Sequence, residues 1–259
     1  MTASWRRSAS AVITVGFLMP VPSAAGQSIA DRVNGVEDGV VLLSFAAREG
    51  VCGNGRNIST SSRGDAYWES DCDRGPVRVV LTVSGRRITD IDTYVGGRWR
   101  PGAANVVELE TVGAPDAAEY LLHLAITLTG DVGKKAILPV TLADSAIVWP
   151  QLLAIAKDAW TSRAVRKSAV FWVAQAAGKA AVEGLQEIVS DESGDIEVRE
   201  RAVFALSQLP DEQGVSALIR IVKTHRDPRI RRKAMFWLGQ SDDPRVLELF
   251  EEILLGRRG

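Results

Sequence analysis

Two cysteines, Cys52 and Cys72, and two histidines, His123 and His225, are the chain's entire stock of thiols and imidazoles. A structural zinc site wants four such ligands, and neither histidine lies near the cysteines in sequence. In an oxidising compartment a lone cysteine pair closes a disulfide, and that is the expectation for Cys52 and Cys72. Glu69, Asp71 and Asp73 cluster around Cys72, and their oxygens could hold Ca²⁺. A solvated turn has the same composition and is the reading adopted. HExxH, GxSxG, P-loop and CxxC motifs are all missing from the sequence. The glycines at 53–55 and 96–97 lack a strand–GxGxxG–helix context, so they read as turns. No cofactor or metal is expected, and no catalytic residue is assigned.

The side chains that do recur are aromatic and amide. Residues 165–172 read VRKSAVFW, 198–205 VRERAVFA and 230–237 IRRKAMFW, one phrase at offsets of 33 and 32 residues. Phe171, Phe204 and Phe236 are each followed four positions later by Gln175, Gln208 and Gln240. An i, i+4 pair shares one helix face, so stacked copies predict a ladder of Phe–Gln pairs, its rungs ~8–10 Å apart. At about 100° per residue, Val165, Ala169, Trp172, Val173 and Ala176 share an inward arc, and Phe171 falls roughly 150° from its centre. Two readings of the ladder stand. Each Phe packs sideways on the next helix and each Gln bonds a loop carbonyl, or the row is a groove for an extended peptide. In the second, the rings supply burial and the amides bond peptide backbone.

Helix pairs must position these residues. Self-similarity near 33 residues is the mark of stacked helix pairs. In the VR-type helix, Val165, Val198 and Ile230 correspond, as do Ala169, Ala202 and Ala234, with a fainter copy at Val132, Ala136 and Leu138. The small alanine lets neighbouring helices approach closely. In the other helix, Trp149, Val182, Val215 and Val246 correspond, and so do Leu152, Leu185, Leu218 and Leu249. Arg166, Arg199 and Arg231 follow the repeat's first residue each time and read as structural, bonding neighbouring turns. Asp116, Asp131, Ser162, Asp195, Asp227 and Asp243 are candidate N-caps, with Pro228 and Pro244 at first helical positions.

Asp-preceded VR-x-x-A-V-F, as in DIEVRERA (195–202) and DPRIRRKA (227–234), resembles HEAT repeats, in particular the short bacterial form also called PBS-lyase HEAT-like. The resemblance covers residues 116–255, about half the chain. It implies an α-solenoid with the VR helices on its concave side and a role in protein–protein contact. No catalytic residue carries over from it.

Upstream the period is different. VVLLSFAA (40–47), PVRVVLTV (76–83), RRITDIDTYV (86–95) and NVVELETV (105–112) read as strands, with a hairpin turn at Ser84–Gly85. Val77, Val79, Leu81 and Val83 fall on one face. REGVCGNGRNISTSSRGD (48–65) reads as a long loop, pinned by the disulfide. At the N-terminus, Arg6 and Arg7 precede a short apolar run and the small residues PSAAGQ. That order is a secretory signal peptide, cleaved after Ala25 or Gly26. Its apolar run, about a dozen residues, is short of the ~20 that span a bilayer.

The formal net charge of −1 sets up no global field toward nucleic acid or membrane. KTHRDPRIRRK (223–233) holds seven basic or potentially basic residues in eleven, yet residues 131–259 carry 19 Lys plus Arg against 18 Asp plus Glu. It reads as a solvated inter-helix turn, and nucleic acid is not expected as a partner. The chain is therefore expected to be α+β: a signal peptide (1–26), a small disulfide-bonded β domain (27–114) and a HEAT-like α-solenoid (115–259). The expected function is an exported module, periplasmic or secreted, with no transmembrane segment after signal removal. It would bind or scaffold a protein or peptide on the face of its VR-type helices. The rival is an envelope hydrolase or lyase accessory with its site in the β domain.

Overall fold

The computed structural model describes residues 28–60, 72–97, 105–177, 181–209 and 212–256. The expected signal peptide, Glu69 and Asp71 lie outside them. A short helix α1 (Ile29–Asn34) leads into a four-stranded sheet of order β5-β4-β1-β6. β1 (Gly39–Phe45) runs antiparallel to β4 (Val77–Ser84), which pairs antiparallel with β5 (Arg87–Val95). The short edge strand β6 (Val106–Glu108) runs parallel to β1. Alternation decides the faces. Val77, Val79, Leu81 and Val83 point inward and are buried, while Val40, Leu42, Val80 and Tyr94 form a small cluster on the other side. The β4–β5 turn sits one residue later than Ser84–Gly85. Gly85 and Arg86 take φ of 54° and 61°, the two left-handed positions that suit a twisted hairpin. Asp38 holds it there, its carboxylate accepting from the Gly85 N–H at 2.9 Å.

The stretch read as a long loop contains a small hairpin, β2 (Cys52–Asn54) with β3 (Asn57–Ser59). Cys52 and Cys72 are disulfide-bonded. The link ties this hairpin to the segment before β4, where Gly53 and Asp73 exchange backbone hydrogen bonds at 3.0 and 2.9 Å.

Nine further helices follow among the described residues: α2 (Ala114–Thr127), α3 (Gly130–Leu142), α4 (Trp149–Lys157), α5 (Arg163–Ala177), α6 (Ala181–Ser190), α7 (Ile196–Ser207), α8 (Glu212–Thr224), α9 (Pro228–Leu238) and α10 (Pro244–Leu254). Asp195, Asp227 and Asp243 cap α7, α9 and α10, each accepting from the N–H two residues on at 2.8–3.0 Å. Ser162 Oγ accepts from the Val165 N–H at 3.4 Å ahead of α5. Asp116 and Asp131 are not caps. Gly113 and Thr129 hold those positions, and the two aspartates lie inside the first turn, where the helix dipole favours negative charge.

The VR-type helices α3, α5, α7 and α9 lie side by side in one row, and α4, α6, α8 and α10 neighbour one another in a second. Val165, Val198, Ile230, Ala169, Ala202 and Ala234 are all buried between the rows, as are Leu152, Leu185, Leu218 and Leu249. The period read in the sequence is thus the period of the core. The row is closed at one end by the sheet, because α3 also packs on β4 and β5. Backbone bonds fix that joint: the Arg48 N–H donates to Leu142 O at 2.8 Å, and the Asp144 N–H to Ala46 O at 3.0 Å. One hydrophobic cluster runs from Val33 through the sheet's inner face to Leu249. The change of pattern near residue 114 therefore falls inside a continuous core.

Candidate interaction face

The three repeat arginines stitch turns together. Arg166 Nε donates to Thr161 O at 3.1 Å, and Arg199 Nε to Val189 O at 3.1 Å. Arg231 Nη1 donates to the carbonyls of His225 and Arg226 at 2.7 and 2.8 Å. Two of them also reach the N-cap of the following repeat. Arg166 Nη2 lies 3.7 Å from Asp195, and Arg199 Nη1 lies 3.4 Å from Asp227. One aspartate thus caps a helix and receives the previous repeat's guanidinium. Arg199 is buried, so these groups belong to the fold and leave the outer face of the VR row for other work.

That face carries the aromatic row. Phe171 and Phe204 are half-buried and nearly parallel, with ring centroids 6.5 Å apart at 8°. Arg201, one turn before Phe204 on α7, lays its guanidinium over both rings, 5.0 Å from the Phe171 centroid and 4.7 Å from that of Phe204. A guanidinium over an aromatic face is attracted by the ring's quadrupole, more strongly as water is removed. Burial pushes the Arg201 pKa below its ordinary value. Among the described residues, no carboxylate pairs with Arg201 and no acceptor bonds it.

The third rung differs. Trp237 packs against Phe204 at 4.7 Å, where the preceding repeat has only Ala205. Phe236 stands edge-on to Trp237 at 5.0 Å and is 58% exposed. The indole occupies the place beside Phe204 and turns Phe236 outward. Trp172 is edge-on to Phe171 in the same way, at 5.0 Å. Nothing among the described residues accepts from the buried Trp237 Nε1. Gln175, Gln208 and Gln240 are all exposed. Gln208 donates to the Ser207 hydroxyl at 3.2 Å, and none of the three bonds a loop carbonyl among the described residues.

Two open depressions flank the row. One, of about 670 Å³, lies over α3, α5 and α7 and presents Lys134, Arg163, Lys167 and Arg201 beside Phe171 and Trp172. The other, of about 530 Å³, lies over α7 and α9 and presents Arg229, Arg232 and Lys233 beside Phe236. Seven cations therefore face two carboxylates, Glu197 and Glu200. Both carboxylates are engaged. Glu197 takes Arg163 at 2.7 Å and Lys167 at 2.8 Å, and Glu200 takes Lys233 at 3.5 Å.

Sequence reasoning named the phenylalanines and glutamines and missed Arg201 and Trp237; it set Trp172 on the inward arc, whereas the partly buried indole lines the depression beside Phe171. Arg201 matches Ser168 and Lys233 in the other copies, so a search for what repeats passes over it. Its signal was local: an arginine three residues before a phenylalanine shares that helix face. The remaining cluster 223–233 is partly neutralised, as Lys223 pairs with Glu252 at 2.7 Å and Arg226 with Glu192 at 3.9 Å.

Elsewhere, several charged groups pair with one another. A third depression of about 530 Å³, at the turn edge, holds Arg166, Arg199, Asp191 and Asp195, all engaged in the contacts above or with Ser193. On the sheet, Asp92 pairs with Arg56 at 2.6 Å, and Asp90 pairs with Lys135. The Lys135 ammonium holds the Asp90 carboxyl below its ordinary range. No three His, Cys, Asp or Glu side chains gather into a metal-binding group among the described residues. No described helix is long and apolar enough to cross a membrane. No curated protein matches the chain. Residues 192–258, which contain the helices α7 to α10, match the family model for HEAT repeats.

Proposed function

We propose that this is an exported, non-catalytic interaction module that binds a protein partner on the outer face of α3, α5, α7 and α9. The Phe171–Arg201–Phe204 stack carries the reading. A folded chain gains little from leaving a half-buried guanidinium without an anion and Phe236 open to water, unless a partner covers them. The HEAT-repeat match supports it, since that architecture serves protein contact. The Cys52–Cys72 disulfide supports export, because such bonds persist in oxidising compartments.

The test uses the full mature chain, since the sheet and the helices share one core. Wild type and a Phe171→Ser/Phe204→Ser/Phe236→Ser variant, matched for folding by circular dichroism, are used to capture proteins from envelope extract. A partner held by wild type and lost by the variant is expected. The same proteins held equally by both would refute the assigned face. Export is checked separately: N-terminal sequencing of the fractionated protein is expected to start at Gly26 or Gln27, and an intact Met1 start in the cytoplasm would refute it.

A further inference from the structure

Granted that this face binds protein, we propose that it takes an acidic, extended segment of the partner, with Arg201 as the central carboxylate-binding residue. The charge count points there. The chain as a whole is slightly acidic at −1, yet the two depressions hold seven cations against two carboxylates. Those two carboxylates are spent on Arg163, Lys167 and Lys233. Lys134, Arg201, Arg229 and Arg232 have no ion pair among the described residues and remain for a ligand.

Arg201 is the best placed of the four. Its guanidinium lies over two rings at 5.0 and 4.7 Å, so less side-chain freedom remains to be lost when an anion arrives. A planar guanidinium also presents paired N–H donors that match a carboxylate. Its half-buried site strengthens the bond relative to one in open water. Lys134 lies toward one end of the row, on α3, and Arg229 and Arg232 toward the other, on α9. Adjacent helices pack ~8–10 Å apart and a strand advances ~3.3 Å per residue. A segment crossing from α5 over α7 to α9 is thus about six residues long, with acids two or three positions apart. Phe236, at the α9 end, offers an apolar contact to a side chain between them.

Nucleic acid fits less well. Single strands stack bases on open ring faces, and here Arg201 covers Phe171 and Phe204.

The experiment selects phage-displayed random peptides on the full mature chain, then measures the winners as synthetic peptides by fluorescence anisotropy. Selected peptides are expected to be enriched in Asp and Glu. Arg201→Gln is expected to weaken them about ten-fold or more, the loss of one charge-assisted pair. Arg201→Lys should restore part of the affinity. Arg232→Glu, at an exposed position, should also weaken them and serves if Arg201→Gln does not fold. Peptides that are neutral or basic, lost with Phe204→Ser but indifferent to both arginine variants, would overturn the acidic partner while leaving the face as the binding site. Failure to recover any peptide sensitive to Phe204→Ser would overturn both. An oligo-dT strand bound in an Arg201-dependent way, with acidic peptides ignored, would overturn the proposal in favour of nucleic acid.

Discussion

Replacing Arg199 by alanine should cost more stability than the same change at Arg166 or Arg231, although the three occupy one repeat position. The Arg199 side chain is 6% exposed, against 12% for Arg166. Its Nε bond to Val189 O crosses from α7 to the end of α6 at a buried site. A charge-assisted bond of this kind contributes about 1.5–3 kcal/mol, and the buried methylene stem adds about 1 kcal/mol of packing. The Val189 carbonyl keeps one partner, the His225 ring at 3.2 Å, so no acceptor is orphaned. The longer, partly exposed pair with Asp227 adds little. The expected loss is therefore about 2–4 kcal/mol for Arg199→Ala. Arg166→Ala removes a similar bond at a wetter site and should cost about 1–2 kcal/mol. Arg231→Ala should cost least, because its two carbonyls lie in its own turn beside the exposed Arg226 and can be hydrated. Urea unfolding followed by circular dichroism, reading midpoint and slope together, ranks the three. If Arg231→Ala costs as much as Arg199→Ala, burial between repeats is not what gives this position its weight.

The other predictions concern the joints of the fold. Replacing Cys52 and Cys72 by alanine frees a loop with a sequence separation of 20 and should lower stability by about 3 kcal/mol on the chain-entropy account; an unchanged melting temperature would contradict it. Gly214→Ala should destabilise, since a Cβ there would lie 2.2 Å from the Leu206 carbonyl oxygen, which cannot move away. Gly184→Ala should cost less, because the new Cβ meets only the Leu153 side chain, its Cδ atoms at 2.4 and 2.8 Å and its Cγ at 3.2 Å, which can shift where a carbonyl cannot, and alanine is the better helix former; equal losses for the two would refute the distinction. The capping aspartates make the helices acid-sensitive. The Arg229 N–H holds Asp227 below the ordinary 3.8 and the Arg245 guanidinium does so for Asp243. At Asp195 burial pulls upward, but the Glu197 N–H and Arg163 outweigh it. Each folded pKa is depressed, so the contribution is whole above 3.8 and is lost as the pH falls through the lower folded value. A triple Asp→Asn variant at 195, 227 and 243 keeps a capping oxygen without the proton equilibrium and should flatten the acid limb; an unchanged limb would refute this source.

The legible part of the molecule was whatever the chain writes more than once. Val165, Val198 and Ile230, with the alanines four residues on, announce a buried stripe because each copy must meet the next one in the same way. The sheet was readable for a related reason: alternation in PVRVVLTV has one solution when one face is covered. Features set by a single local contact were not readable. The β2–β3 hairpin is three residues a side, and its glycine-rich composition is equally that of a loop. Asp116 and Asp131 have the right type for caps, but the chain enters those helices two or three residues earlier. The rotation of Phe236 depends on an indole at 237 meeting Phe204, which needs the packing and not the period.

The same distinction separates architecture from specificity. Positions that are constant across the three copies, the first Val or Ile, the Arg after it and the Ala, are buried or tied to turns. Apart from the phenylalanines, positions that face the depressions vary: Ala164, Glu197 and Arg229; Lys167, Glu200 and Arg232; Ser168, Arg201 and Lys233. A stack can vary these without disturbing its joints, because they touch solvent and each other. A uniform ladder would offer a partner the same rung three times and could not fix its register. The one guanidinium held over Phe171 and Phe204, with the open Phe236 to one side of it, makes the rungs unequal. On the proposal above, a partner reads this surface through the residues that break the repeat, with Arg201 first among them.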